Sequence, residues 1–113
     1  MVETLIFSCS GAADVGELAD KTARELTKKG FGTMFCLAGI GGDVDPIVER
    51  TKSAYKRLVI DGCQVACAKK LFEKAGLNDF EYIQVTNLGY EKGKTLANQE
   101  NVMKVFNESK KLI

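Results

Sequence analysis

Short apolar, β-branched runs alternate along this chain with longer segments whose apolar positions recur at helical spacing. The first run, Thr4-Leu5-Ile6-Phe7-Ser8-Cys9, predicts a buried strand, followed by a loop of small residues, Ser10-Gly11-Ala12-Ala13. Asp14 with Glu17 three residues on resembles a capping box. Val15, Leu18, Ala19, Thr22, Ala23 and Leu26 then keep the helical period as far as Lys28-Lys29-Gly30, cations and a glycine suited to a helix C-terminus. A second strand is predicted over Gly32-Thr33-Met34-Phe35-Cys36-Leu37, ending in a tight glycine turn, Ala38-Gly39-Ile40-Gly41-Gly42. Asp45-Pro46 opens a second helix with its proline where the missing N–H is harmless, and Ile47, Val48, Thr51, Ala54 and Tyr55 form its apolar stripe.

The third run, Leu58-Val59-Ile60, stops at Asp61-Gly62, and a helical pattern is predicted to start at once behind it. Leu71, Phe72 and Ala75 continue that pattern inward and Gly76 ends it. Glu81-Tyr82-Ile83-Gln84-Val85-Thr86 predicts a fourth strand, followed by a loop over residues 87–94. A last helix carries Val102, Val105, Phe106, Ser109 and Leu112 on one face. Strand and helix thus alternate four times with short connections. That order predicts an α/β fold in three layers, α/β/α, Rossmann-like or flavodoxin-like. Its core is a four-stranded parallel sheet in the order 2-1-3-4.

Composition narrows the function classes. A chain of 113 residues suits a single domain. Sixteen basic against fifteen acidic residues leave a net charge of +1, with nothing to steer the protein towards nucleic acid or an anionic membrane. No apolar run approaches the ~20 residues of a membrane span, and the Met-Val-Glu-Thr start lacks the features of a secretory signal. The expected compartment is therefore the cytoplasm, where cysteines serve as metal ligands or redox thiols more often than as structural disulfides. Histidine is absent, which excludes His-based triads and mixed Cys/His zinc sites.

The four cysteines carry the candidate chemistry. Cys9, Cys36 and Cys63 recur at an interval of 27 residues, about the length of one strand, one helix and two turns. Each of the first three units thus delivers a thiol to the carboxyl end of its strand, the edge where open α/β sheets bind ligands. Cys67, four residues after Cys63, is expected on the same side of the following helical turn. The expectation is that Cys9, Cys36, Cys63 and Cys67 meet at one site and hold one metal ion. Thr86 and Asn87 stand where a fourth strand's cysteine would fall, so that strand is expected to frame the site without supplying a ligand.

Rival motifs fail on particular residues. The dinucleotide fingerprint G-x-G-x-x-G breaks because Val44 holds the last glycine's position, and Asp43 and Asp45 would repel a phosphate. A thiol phosphatase loop built on Cys9 needs an arginine six positions on, where Val15 stands. The pair Cys63/Cys67 is C-x-x-x-C, not the thioredoxin C-x-x-C.

Cys9-Ser10-Gly11, Cys36-Leu37-Ala38-Gly39-Ile40-Gly41-Gly42, Asp61-Gly62-Cys63 and Cys67-Ala68-Lys69-Lys70 together resemble the DGC-domain family. Leu88-Gly89-Tyr90-Glu91-Lys92 is similar to that family's motif after the last strand. The resemblance covers nearly the whole chain, with Gln64 as a departure where many members carry proline. It implies a zinc-binding domain over residues 1–113 and names no substrate or protein partner. Zinc is well served by four thiolates at about 2.3 Å, and a closed four-cysteine shell is usually structural. The same ligands also suit an iron–sulfur cluster. Two further alternatives are a metal carrier and a thiol redox enzyme or sensor, with Cys63 as nucleophile and Cys9 or Cys67 resolving.

Overall fold

The computed structural model of the protein describes residues 3–113, so the opening Met1-Val2 lies outside the described residues. Strands β1 (Thr4–Ser8), β2 (Thr33–Met34), β3 (Lys56–Asp61) and β4 (Glu81–Gln84) form one sheet in the order β2-β1-β3-β4. Every pairing is parallel: Leu5 lies opposite Thr33 and Arg57, and Leu58 opposite Glu81. The α/β architecture and strand order are those the sequence predicts.

Alternation along the strands divides the interior into two layers. Ile6, Leu58, Ile60 and Ile83 face helices α1 (Asp14–Lys28) and α5 (Gln99–Lys110), which supply Val15, Leu18, Ala19, Leu26, Val102, Val105 and Phe106. Leu5, Phe7 and Val59 face the opposite layer, built from α2 (Leu37–Gly41), α3 (Asp45–Ser53) and α4 (Cys67–Lys74). There Phe72 stacks edge-on against Phe7 with ring centroids 4.8 Å apart. The central strands are covered on both faces, which is why they read as unbroken apolar runs. Such burial, at about 25 cal/mol per Å² of apolar surface, supplies the main stabilisation.

Four local expectations are corrected. The glycine run after Cys36 is not a turn but the short helix α2, because the Cys36 sulfur caps it by accepting the Gly39 N–H at 3.3 Å. β2 is correspondingly short, although Phe35 still donates its N–H to the Ile6 carbonyl at 2.8 Å. Helix α3 ends at Ser53, so Tyr55 stands in solvent outside its stripe. β4 ends at Gln84, and Val85–Leu88 winds into a 3-10 turn whose Thr86 N–H donates to the Gly62 carbonyl.

Gly62 sits where three segments converge. A Cβ there would meet the Gly16 nitrogen at 2.7 Å and the Val15 carbonyl oxygen at 2.8 Å, backbone atoms that cannot turn aside. Gly16 in turn packs against the Gly11 backbone, which a Cβ would approach to 2.9 Å. The loops after β1 and β3 therefore touch the start of α1 through bare backbone. Gly62→Ala is expected to cost about 1–3 kcal/mol, the range for overpacking. Gly11→Ala, with open space around its own Cβ, should stay within about 0.5 kcal/mol. Urea unfolding of the two variants checks the contrast; equal midpoints would show that the close approach is not required.

Candidate metal centre

The chain leaves β3 through Asp61, whose side chain is 1% exposed. Its carboxylate accepts the Ala68 N–H on Oδ1 at 2.9 Å, the Lys69 N–H on Oδ2 at 3.0 Å and the Tyr82 hydroxyl on Oδ2 at 2.9 Å. Ala68 and Lys69 lie in the first turn of α4, so Asp61 caps that helix from the end of the strand before it. The helix consequently starts at Cys67, later than the sequence pattern predicts. Residues 62–66 form a turn closed by the Ala66 N–H on the Cys63 carbonyl, and Ala66 takes a left-handed conformation with φ 55°. Cys63 belongs to this turn and Cys67 to the first helical position, so they do not share a helical face.

Cys9 follows β1 directly and is half-buried. The Gly62 N–H donates to its sulfur at 3.3 Å, which binds the loop after β1 to the turn after β3. Cys9 and the exposed Cys36 line one cavity of about 430 Å³ together with Ser8, Ser10, Asp20 and Arg24. Ser10, at φ 47°, hydrogen-bonds Ser8 at 2.6 Å and donates to Asp20 at 2.7 Å, and Arg24 donates to the other Asp20 oxygen at 2.8 Å. Burial raises the Asp20 pKa, but the hydrogen bonds from Arg24 and Ser10 outweigh it and hold the group below its ordinary value.

Cys63 is half-buried under the segment after the 3-10 turn, where the Lys92 ammonium stands 3.7 Å from its sulfur. That segment is fixed from a distance in sequence by Asp14. One Asp14 oxygen accepts the N–H groups of Val15 and Gly93, at 2.8 and 2.9 Å, and the other accepts the Thr95 N–H at 2.9 Å. The backbone donors Gly93 and Thr95 lower the Asp14 pKa. Tyr82 is shifted the opposite way: burial first, then the bond to Asp61 and the Asp61 charge raise its pKa and keep it a neutral donor. Lys69 supplies a cation over the Tyr82 ring, 5.1 Å from its centroid.

All four cysteines are free thiols located just beyond the carboxyl ends of β1, β2 and β3. The structure brings Cys9 and Cys36 to one cavity and ties the Cys9 sulfur to the Gly62 N–H, next to Cys63 in the chain; Cys67 is exposed at the start of α4. Among the described residues no three Cys, Asp, Glu or His side chains are gathered as they stand around a common ion position. The donor chemistry nevertheless fits a soft metal. Asp61 is saturated by its amides and hydroxyl and Asp20 is engaged by Ser10 and Arg24, which leaves the cysteine sulfurs as the candidate ligands. N–H groups or an ammonium already address three of those sulfurs, as partners of metal-bound thiolates do. The sequence offers no signal for Tyr82 or Lys92 at this site; Asp14 reads there only as part of a capping box, and Asp61 only as a strand stop ahead of a glycine.

Fold and site define a parallel α/β domain with four free cysteines spread along one sheet edge. The DGC domain family matches residues 5–109, and the chain belongs to that family. It is 40% identical over 65 residues to the anaerobic and virulence modulator AnvM of Pseudomonas aeruginosa, a stretch covering 58% of this chain and 50% of that protein. The chain thus matches about half the length of that curated relative. No solved structure matches it. Among the described residues no helix is long and apolar enough to cross a membrane.

Two consequences follow for stability. Asp61→Asn leaves one of the N–H donors facing an amide NH₂ and is expected to cost about 1–3 kcal/mol, with Tyr82→Phe costing about 1 kcal/mol. Urea denaturation checks both, and an Asp61→Asn protein as stable as wild type would remove the cap from this account. For Asp14, the lowered folded-state pKa means its contribution is fully present above the ordinary value of 3.8 and is lost as pH falls through the lowered one. Amide exchange at Gly93 and Thr95 should therefore be slower in wild type than in Asp14→Asn at neutral pH, and the difference should vanish only below about pH 3.8.

Proposed function

We propose that this domain binds a metal ion, zinc, through Cys9, Cys36, Cys63 and Cys67. The observation that carries the reading is the ring of donors aimed at sulfur along one sheet edge: Gly62 N–H to Cys9, Gly39 N–H to Cys36 and the Lys92 ammonium to Cys63. Four thiolates around one Zn²⁺ carry a net charge of −2, and these donors offset part of it. Binding would draw the exposed sulfurs of Cys36 and Cys67 towards Cys9 and Cys63. The shared family and the all-sulfur donor set support the proposal.

Lys92 beside Cys63 also supports a second reading, a thiol redox protein in which a cation-stabilised Cys63 is the nucleophile and Cys9 or Cys67 resolves it. The two differ in what the protein holds. Anaerobically purified protein analysed for metals, with a visible spectrum to detect iron–sulfur absorption, is expected to contain one colourless zinc per chain. Each single Cys→Ser change should lower that content, with Cys63→Ser at least as damaging as any other. Full zinc occupancy in Cys63→Ser would refute the four-ligand site. Metal-free wild type that forms an internal disulfide under mild oxidant would favour the redox reading.

Zinc removal tests how far the fold depends on the site. Zinc binding in small peptides contributes on the order of 10 kcal/mol to folding, but this domain also has two buried apolar layers of its own. The apo protein is expected to stay folded and to melt at a lower temperature than the zinc form, as measured by circular dichroism. An apo protein unfolded at room temperature would show that the sheet core is insufficient alone.

A further inference from the structure

Lys92 reaches Cys63 only because the segment carrying it is held in place, and the hold is polar. Of residues 91–96, only Thr95 is buried, and Leu96 is 72% exposed. Within the segment the Thr95 hydroxyl and the Lys94 N–H both donate to the Glu91 carbonyl, at 2.7 and 3.0 Å, closing a small loop around Lys92. The loop is tied to the body by the two bonds that Asp14 accepts from Gly93 and Thr95. Beyond it, Lys21 donates to the Ala97 carbonyl at 2.9 Å and Asn101 to the Leu96 carbonyl at 2.7 Å. A segment with so little apolar anchorage opens locally at low cost unless its hydrogen bonds hold it.

We infer that Asp14 is a positioning residue for the metal site: by clamping the 91–95 segment it keeps the Lys92 ammonium over the Cys63 sulfur, and the pair governs how readily zinc leaves. The inference rests on the zinc reading above and deepens it. Zinc bound by four thiolates has surplus negative charge, and Lys92 is the cation in contact with one of the ligating sulfurs. Four thiolates gathered on one Zn²⁺ would repel one another, and an ammonium held over Cys63 would offset part of that surplus charge, a stabilisation that is lost when the sulfurs separate. Asp14 touches no sulfur and acts only through the segment it clamps. The chemistry identifies the competing acceptor as a chelator or protein offering soft donors.

The test loads the full chain with zinc and follows transfer to a chromophoric chelator for wild type, Asp14→Asn, Lys92→Gln, Lys92→Arg and the Asp14→Asn/Lys92→Gln double variant. Removing partners of metal ligands typically changes affinity by roughly tenfold or more, and release in Asp14→Asn and Lys92→Gln should accelerate by roughly that factor. Lys92→Arg should stay near wild type, and the double variant should release no faster than Lys92→Gln, because Asp14 acts through Lys92. The wild-type advantage over Lys92→Gln should also shrink with added salt, as screening of an exposed ammonium requires. Release from Lys92→Gln at the wild-type rate, or multiplying effects in the double variant, would overturn the inference. Lys92 is exposed, so that variant remains informative even where Asp14→Asn fails to fold. Wild type that takes up no zinc at all would overturn the metal reading and this inference with it, whereas zinc uptake with unaltered release in the variants overturns the inference alone.

Discussion

One buried carboxylate organises the functional edge. Asp61 carries a negative charge into a position almost closed to solvent, and such a charge is tolerated only where donors surround it. Here the donors are two N–H groups of α4 and the Tyr82 hydroxyl, with the cation of Lys69 over the same tyrosine ring. These bonds join two elements to β3: the two N–H groups bring in the helix that begins with Cys67, and the hydroxyl brings in the edge strand β4. The requirement to satisfy one oxygen pair thus sets where α4 starts, which turn precedes it, and where Cys63 stands within that turn.

The same arrangement decides what the edge does not do. Helix N-termini attract anions through free N–H groups, but Asp61 already occupies those of α4. At this helix start a phosphate or carboxylate ligand would find an anion already in its place. The glycines complete the edge sterically. Gly62 against Gly16, and Gly16 against Gly11, let the loops of Cys9 and Cys63 approach through backbone alone, and that approach puts the Gly62 N–H on the Cys9 sulfur.

Much of this was legible in the sequence because it depends on periodicity. Alternating apolar runs gave the strands, and the 27-residue interval of Cys9, Cys36 and Cys63 placed three thiols at equivalent strand ends. The helical stripe from Val15 to Leu26 is buried as its spacing requires. What escaped is chemistry without a period. The strand pattern runs through Cys36 to Leu37, but the Cys36 sulfur accepts an N–H and begins α2. Asp61 reads as a stop signal, since nothing local shows that its oxygens serve residues beyond the next turn. Asp14 reads as part of a capping box with Glu17, yet its carboxylate serves Gly93 and Thr95, far along the chain. Local motif rules see neighbours within a helical turn, and these carboxylates act across the fold.

The charge pattern around the sulfurs gives the edge a direction. Cys9 and Cys63 lie inward, each already in contact with a donor, whereas Cys36 and Cys67 are exposed. Cys9 and Cys63 are set in the close-packed glycine backbone and in the turn that Asp61 anchors, while Cys36 and Cys67 stand at the surface. The inner pair is therefore fixed by contacts that the rest of the fold requires, and the outer pair by the first residues of two helices alone. Burial of one half and exposure of the other are properties of the fold of this edge.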